Sequence, residues 1–147
     1  MAEYASAIAG LVSIGIDIVQ IIYRYSSSVH EAPKSVARLS EEAASLQNVL
    51  EQLDAFLWKH QHDLTQASAL FFATSGCNAW LADFKKRLPP LSSTRGVHRL
   101  FSRLKWPLDE KSTQQAAECI HRFAETFHFA LDVQGLYAID LHRHQYY

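Results

Sequence analysis

Residues 33–59 read PKSVARLSEEAASLQNVLEQLDAFLWK. Val36, Leu39, Ala43, Leu46, Leu50, Leu53, Leu57 and His60 recur at steps of three and four, which lines them along one face of a helix. Arg38, Glu41, Glu42, Ser45, Gln52 and Asp54 fall on the remaining circumference. Pro33 suits the first turn, where a missing N–H costs nothing. The stretch therefore predicts an amphipathic helix of roughly 40 Å, and a helix with one apolar face needs other helices or a sheet to cover it.

The flanking segments supply helices. Upstream, Tyr4, Ile8, Leu11, Gly15, Ile18, Ile22 and Tyr25 form one helical face. Glu3, Ser6, Gly10, Ser13, Asp17, Gln20 and Arg24 form a polar stripe, and Ala5, Ala9, Val12, Ile16, Val19 and Tyr23 a second apolar one. Most of the circumference is apolar, which predicts burial by several neighbours. Ser26, Ser27 and Ser28 are expected to break this helix. Downstream, a third helix is predicted over 64–88, with Leu70, Cys77, Leu81, Phe84 and Leu88 on one side and Trp80 beside them; Pro89 and Pro90 end it. The pattern over 97–106 reads as a short helix. Pro107 is expected to open the last long helix, with Asp109 and Glu110 favourably placed for its dipole and Ala116, Ile120, Phe123, Phe127 and Ala130 facing inward. Gly135 is the expected stop. These readings give an all-α bundle of four to five long antiparallel helices, its apolar N-terminal helix in the core. The domain spans 1–135; 136–147 is a tail that either docks as a short helix or begins a linker.

Composition agrees. The 147 residues carry a net charge of −1, 48% hydrophobic residues, nineteen alanines and seventeen leucines against five glycines and four prolines. That composition excludes wholesale disorder and favours helix over a turn-rich β fold. Near-neutral charge argues against a general nucleic-acid partner. Cys77 and Cys119 are too few for a disulfide framework and read as small hydrophobes. The apolar run from Tyr4 to Ile16 has no preceding Lys or Arg, so it does not read as a secretory leader. Asp17 interrupts it, so it does not read as a constitutive membrane span.

The ordered set of local motifs resembles the HeLo-like N-terminal domain of fungal STAND, or NLR-type, proteins. It comprises Ala9-Gly10-Leu11-Val12-Ser13, Ser28-Val29-His30-Glu31-Ala32-Pro33 and Leu39-Ser40-Glu41-Glu42 with Leu46, Val49, Leu50, Leu53, Phe56 and Leu57. Cys77 with Leu81 and Phe84 follows, then Arg103-Leu104-Lys105-Trp106-Pro107 before Glu110 and Lys111. The similarity covers about residues 4 to 131; Glu31 stands where Asp is common, and Gly135 to Tyr147 carries no matching motif. The resemblance implies a helical effector or signalling module, usually placed ahead of a nucleotide-binding oligomerisation domain. Some such modules kill the cell by inserting the N-terminal helix into membrane. The domain looks akin to the bundles of plant coiled-coil immune receptors and mixed-lineage kinase domain-like pseudokinases. By that resemblance the chain is cytoplasmic and moves to the plasma membrane on activation, with itself, anionic lipids and a downstream receptor domain as partners.

No enzyme motif is present: GxSxG, Walker A, a Gly-rich dinucleotide loop and HExxH are all missing from the sequence. No catalytic residue, cofactor or metal site is expected. His60 and His62, like His142 and His144, sit two apart and point to different helix faces; His121 and His128 share a face two turns apart. Two regions carry the functional expectation. The first helix offers Ile8, Gly10, Leu11, Ile14, Gly15, Asp17, Ile18 and Ile22 for membrane insertion or oligomerisation. Its small residues permit close helix contact in lipid, while Asp17 opposes insertion by about 2.5–3.5 kcal/mol at the bilayer centre. The second region lies between Asp83 and Asp109, where no acidic residue occurs. It holds Lys85, Lys86, Arg87, Arg95, Arg99, Arg103 and Lys105, seven of the chain's fourteen Lys and Arg. Either it is a solvated basic segment or it attracts anionic headgroups. Phe101, Leu104 and Trp106, interleaved with it, suit an interfacial helix or core contacts alike. The competing function is a non-lytic interaction or adaptor bundle whose first helix never leaves.

Overall fold

The computed structural model describes residues 2–28, 33–59, 67–88 and 106–145, and side chains over 7–27, 33–59, 72–88 and 106–133. Four helices account for nearly all of them: α1 (Ala2–Ser28), α2 (Lys34–Lys59), α3 (Ala67–Arg87) and α4 (Glu110–Gln145). The chain is an all-α bundle with no strand among the described residues. The expected helix over 97–106, apart from its last residue Trp106, which is not helical, and the start of the third helix at 64 lie outside them.

Each helix buries the face its spacing predicts. In α2, Val36, Leu39, Ala43, Leu46, Leu50, Leu53 and Leu57 are buried, joined by Val49. From α1 come Ile8, Leu11, Ile18, Ile21, Ile22 and Tyr25; from α3, Cys77, Leu81, Phe84 and, just past its end, Leu88; from α4, Ala116, Ala117, Ile120, Ala124 and Phe127. They form one continuous core. At about 1.5–3 kcal/mol for each large side chain, this burial is the main force holding the bundle.

The bundle is a ring in the order α1, α2, α4, α3. Each helix packs on its two ring neighbours, while the diagonal pairs α1/α4 and α2/α3 bring no described Cα atoms within 8 Å. Side-chain contacts fix the directions. Gly15 faces Gln47 and Leu50 across the α1–α2 seam, and only 29–33 separate the two helices, so they run antiparallel. The Trp106 N–H donates to the Tyr25 hydroxyl (3.0 Å) and their rings lie 4.8 Å apart. That places the start of α4 beside the end of α1, hence beside the start of α2. Trp80 meets Phe123 at 6.0 Å, while Phe84 and Arg87 share a cleft with Ser112 and Ala116; α3 therefore runs against α4. Consecutive helices alternate in direction, and the neighbours α1/α3 and α2/α4 run parallel.

Several expected boundaries are corrected. The serines do not break α1, which continues to Ser28. Ser26 Oγ and Ser27 Oγ donate to the carbonyls of Ile22 and Tyr23 at 2.9 and 2.7 Å, so the hydroxyls bond back along the helix instead of leading out of it. Pro107 does not open the last helix. Asp109 caps it: its carboxylate accepts the Ser112 N–H at 2.6 Å, its carbonyl accepts the Thr113 N–H, and Glu110 is the first helical residue. The Ser112 N–H is also the main reason the Asp109 carboxyl titrates below its ordinary value. Gly135 does not stop α4, which runs through 136–145. A glycine within a helix costs about 1 kcal/mol, and no proline follows it to enforce an end. The division between a domain and a tail at 135 thus falls inside one helix.

The expectation that several neighbours cover α1 is corrected too. Its inner face is in the core, but α1 occupies a corner of the ring and has two neighbours. Its second apolar stripe lies outside: Val12 and Val19 are half-buried, Ala9 is exposed, and Ile16 and Tyr23 are 38% and 68% exposed.

Candidate functional site

Ile8, Leu11, Ile18 and Ile22 sit in the core and Ile14 is half-buried against it. The two glycines differ. A methyl group on Gly15 would run into the Gln47 side-chain oxygen, whereas nothing lies within 4 Å of the same position on Gly10. Gly15 thus serves the α1–α2 seam. There Gln47 donates its amide to Glu51 at 3.0 Å, and its oxygen is buried with no partner among the described residues. Gly10 answers to no packing demand among the described residues.

By length and composition the segment Ala7–Ser27 is apolar enough to cross a bilayer, with 33% of its most apolar window buried. Core helices and N-terminal leader sequences satisfy the same criterion. Asp17 is the one charged residue between positions 7 and 23. It does not face solvent alone: Lys85 Nζ donates to its Oδ2 at 2.8 Å, with the side chains 35% and 41% exposed. The middle of α1 is thereby tied to the last turn of α3. At that exposure the pair contributes at most about 1 kcal/mol, small beside the burial of the inner isoleucines.

Lys85 thus links the two sets of residues singled out above. Lys86 is exposed, and Arg87 pairs with Asp83 at 3.1 Å on the exposed face of α3. Three cations on the last turn also complement the α3 dipole. Arg95, Arg99, Arg103 and Lys105 lie outside the described residues. Trp106 is resolved in favour of a core contact. It packs on Tyr25 and against the core, and its indole N–H donates to Thr113 Oγ1 at 2.8 Å.

Sequence reasoning missed three contacts. Tyr25 and Trp106 close one end of the bundle. Ile21 joins the inner face. His121 lies between two carboxylates: Nδ1 faces Glu42 Oε2 of α2 at 3.0 Å and Nε2 faces Glu125 Oε1 at 2.9 Å. The Glu42 hydrogen bond is the largest cause raising the His121 pKa above its ordinary value, followed by the Glu42 charge. Spacing betrays only the Glu125 half of this arrangement, as an i,i+4 pair.

No group of three His, Cys, Asp or Glu converges for a metal among the described residues. A cleft of about 150 Å³ between α3 and α4, walled by Trp80, Phe84, Leu108 and Ala116, is below the size of ordinary small-molecule sites. Burial pushes the Cys77 thiol up to about 12 and also raises Cys119, so neither is an activated nucleophile.

No protein-family profile matches this chain, and no curated protein or solved structure was found to resemble it. The HeLo-like reading therefore rests on the residues quoted above.

Proposed function

We propose that this chain is a HeLo-like effector module of fungal cell death and innate immunity. In this reading it oligomerises and engages or permeabilises membrane through α1, and it acts without catalysis or cofactor. It waits in the cytoplasm, works ahead of a nucleotide-binding receptor domain, and moves to the plasma membrane on activation. The basic end of α3, with Arg95, Arg99, Arg103 and Lys105, meets anionic lipid.

The observation that carries the reading is the corner position of a helix apolar on both faces. Undocking α1 breaks two seams and the Tyr25–Trp106 contact, and leaves α2, α4 and α3 joined through α4. It exposes Ile8, Leu11, Ile18, Ile21 and Ile22, at about 1.5–3 kcal/mol each. A bilayer interior returns that loss and also takes up Ile16 and Tyr23. The exposed stripe supports a second reading as well: an adaptor whose α1 stays docked and uses Val12, Ile16, Val19 and Tyr23 against a protein.

Leakage of dye from anionic vesicles by the clustered full chain separates the two. Ile16→Glu combined with Tyr23→Glu alters surface positions only, so helicity by circular dichroism should be unchanged. The effector reading expects leakage to fall at least tenfold. Leakage that survives the double substitution removes α1 from the mechanism. Absence of leakage from the unsubstituted protein, with self-association abolished by the same substitutions, establishes the adaptor instead.

A further inference from the structure

We infer that Lys85 is shared between two anions, Asp17 within the fold and a lipid headgroup outside it, so that an anionic membrane surface loosens α1 by taking its partner away. The inference rests on the effector reading and specifies how the membrane is sensed. Three observations carry it. Asp17 is the sole charge in the apolar part of α1, and Lys85 Nζ lies 2.8 Å from it. The lysine remains 41% exposed, so a second anion can approach it without unfolding anything. Lys86 and Arg87 follow on the same turn, in a stretch lacking any acidic residue between Asp83 and Asp109. The ammonium has three donors and can reach both anions, but a carboxylate and a phosphate on one positive charge repel each other, so each weakens the other's hold on it. Each headgroup drawn to this turn therefore weakens the α1–α3 tie, and burial of the inner face alone then holds α1.

The competition has a distinctive signature. An ion pair of this exposure is worth at most about fivefold in an equilibrium, and a basic residue near an anionic surface about the same. Asp17→Asn should quicken amide hydrogen exchange in α1 up to about fivefold without lipid, and should tighten binding to phosphatidylserine-containing vesicles by a similar factor, because Lys85 is released. Lys85→Gln should quicken α1 exchange likewise but weaken vesicle binding up to about fivefold. Lys86→Gln should weaken vesicle binding and leave α1 exchange unchanged. In the unsubstituted full chain, the anionic vesicles should quicken α1 exchange, and neutral phosphatidylcholine vesicles should not.

Equal vesicle binding by Asp17→Asn and the unsubstituted chain overturns the inference, as does identical α1 exchange in Lys85→Gln and Lys86→Gln. Inorganic phosphate that quickens α1 exchange as strongly as the vesicles overturns the assignment to a lipid surface. If the Ile16 and Tyr23 substitutions stop leakage while Asp17→Asn changes neither readout, the shared lysine falls and the effector reading stands. If anionic vesicles are bound no better than neutral ones, both fall.

Discussion

α1 and α4 both pack along α2, yet they meet water differently. α4 buries Ala116, Ala117, Ile120, Ala124 and Phe127 and turns Glu110, Lys111, Glu118, Arg122 and Glu125 outward. Phe129, 71% exposed, is the exception on its outer face among the described side chains. α1 buries a comparable inner face, but its outer arc carries Ala9, Ile16 and Tyr23, with Val12 and Val19 at its margin. Inner faces are governed by the requirement to fill a core and so look alike. The outer faces are free of that requirement, and they are where the two helices differ.

The largest expected effect separates the two seams. Phe127→Ala removes a fully buried ring from α4 and should cost about 3–5 kcal/mol, lowering the midpoint of the whole cooperative transition. Ile18→Ala should cost about 2–5 kcal/mol. Because among the described helices α1 packs on α2 and α3 alone, its further contact being Tyr25 with Trp106, that loss should appear first as faster amide exchange within α1 while α2 and α4 stay protected. Thermal melting and residue-resolved exchange on the two variants check this. Uniform loss of protection in Ile18→Ala would mean that α1 is not separable from the rest.

A smaller effect compares the open and the packed glycine of α1. Gly10→Ala replaces a glycine in an exposed helix with open space around it, so stability should rise by about 1 kcal/mol. Gly15→Ala has the same propensity gain, but the added methyl displaces the buried Gln47 oxygen, so its gain should be smaller or reversed. Urea midpoints of the two variants decide the order. Equal gains would show that the α1–α2 seam is looser than the Gly15–Gln47 contact implies.

What was legible in the sequence follows the same division. Period and polarity identified the inner faces, because Leu39, Leu46, Leu50, Ile120 and Phe127 announce burial by recurrence alone. They did not reveal which helix covers which. The spacing of α1 shows two apolar stripes, but not that ring order covers one and leaves Ile16 and Tyr23 outside. Asp17 and Lys85 were each legible as charges in unusual company. Their pairing across 68 residues depends on α1 and α3 being parallel neighbours, which no local pattern encodes. The serine run at 26–28 and Gly135 misled for a shared reason. Both are residues that often end helices, and here the serine hydroxyls bond back along the helix while Gly135 is carried within one.

The smallest effect concerns the α2–α4 seam and pH. His121 faces a carboxylate from each ring nitrogen, Glu42 of α2 and Glu125 of its own helix. Both nitrogens donate only when the imidazole is protonated, and its folded pKa is raised, chiefly by the Glu42 hydrogen bond. A raised folded pKa means the folded state holds the proton more tightly than the unfolded chain does. The resulting stability is complete below the ordinary histidine value near 6.5 and is lost as pH rises through the higher folded value. His121→Gln should therefore lower the melting temperature more at pH 5.5 than at pH 9. The difference between variant and unsubstituted protein isolates this histidine from the other seven. A pH-independent difference would show that the bridge between α2 and α4 is not made in solution. Neither α1 nor α3 carries a histidine, so mild acid should tighten the α2–α4 seam and leave the α1–α3 seam without a matching gain.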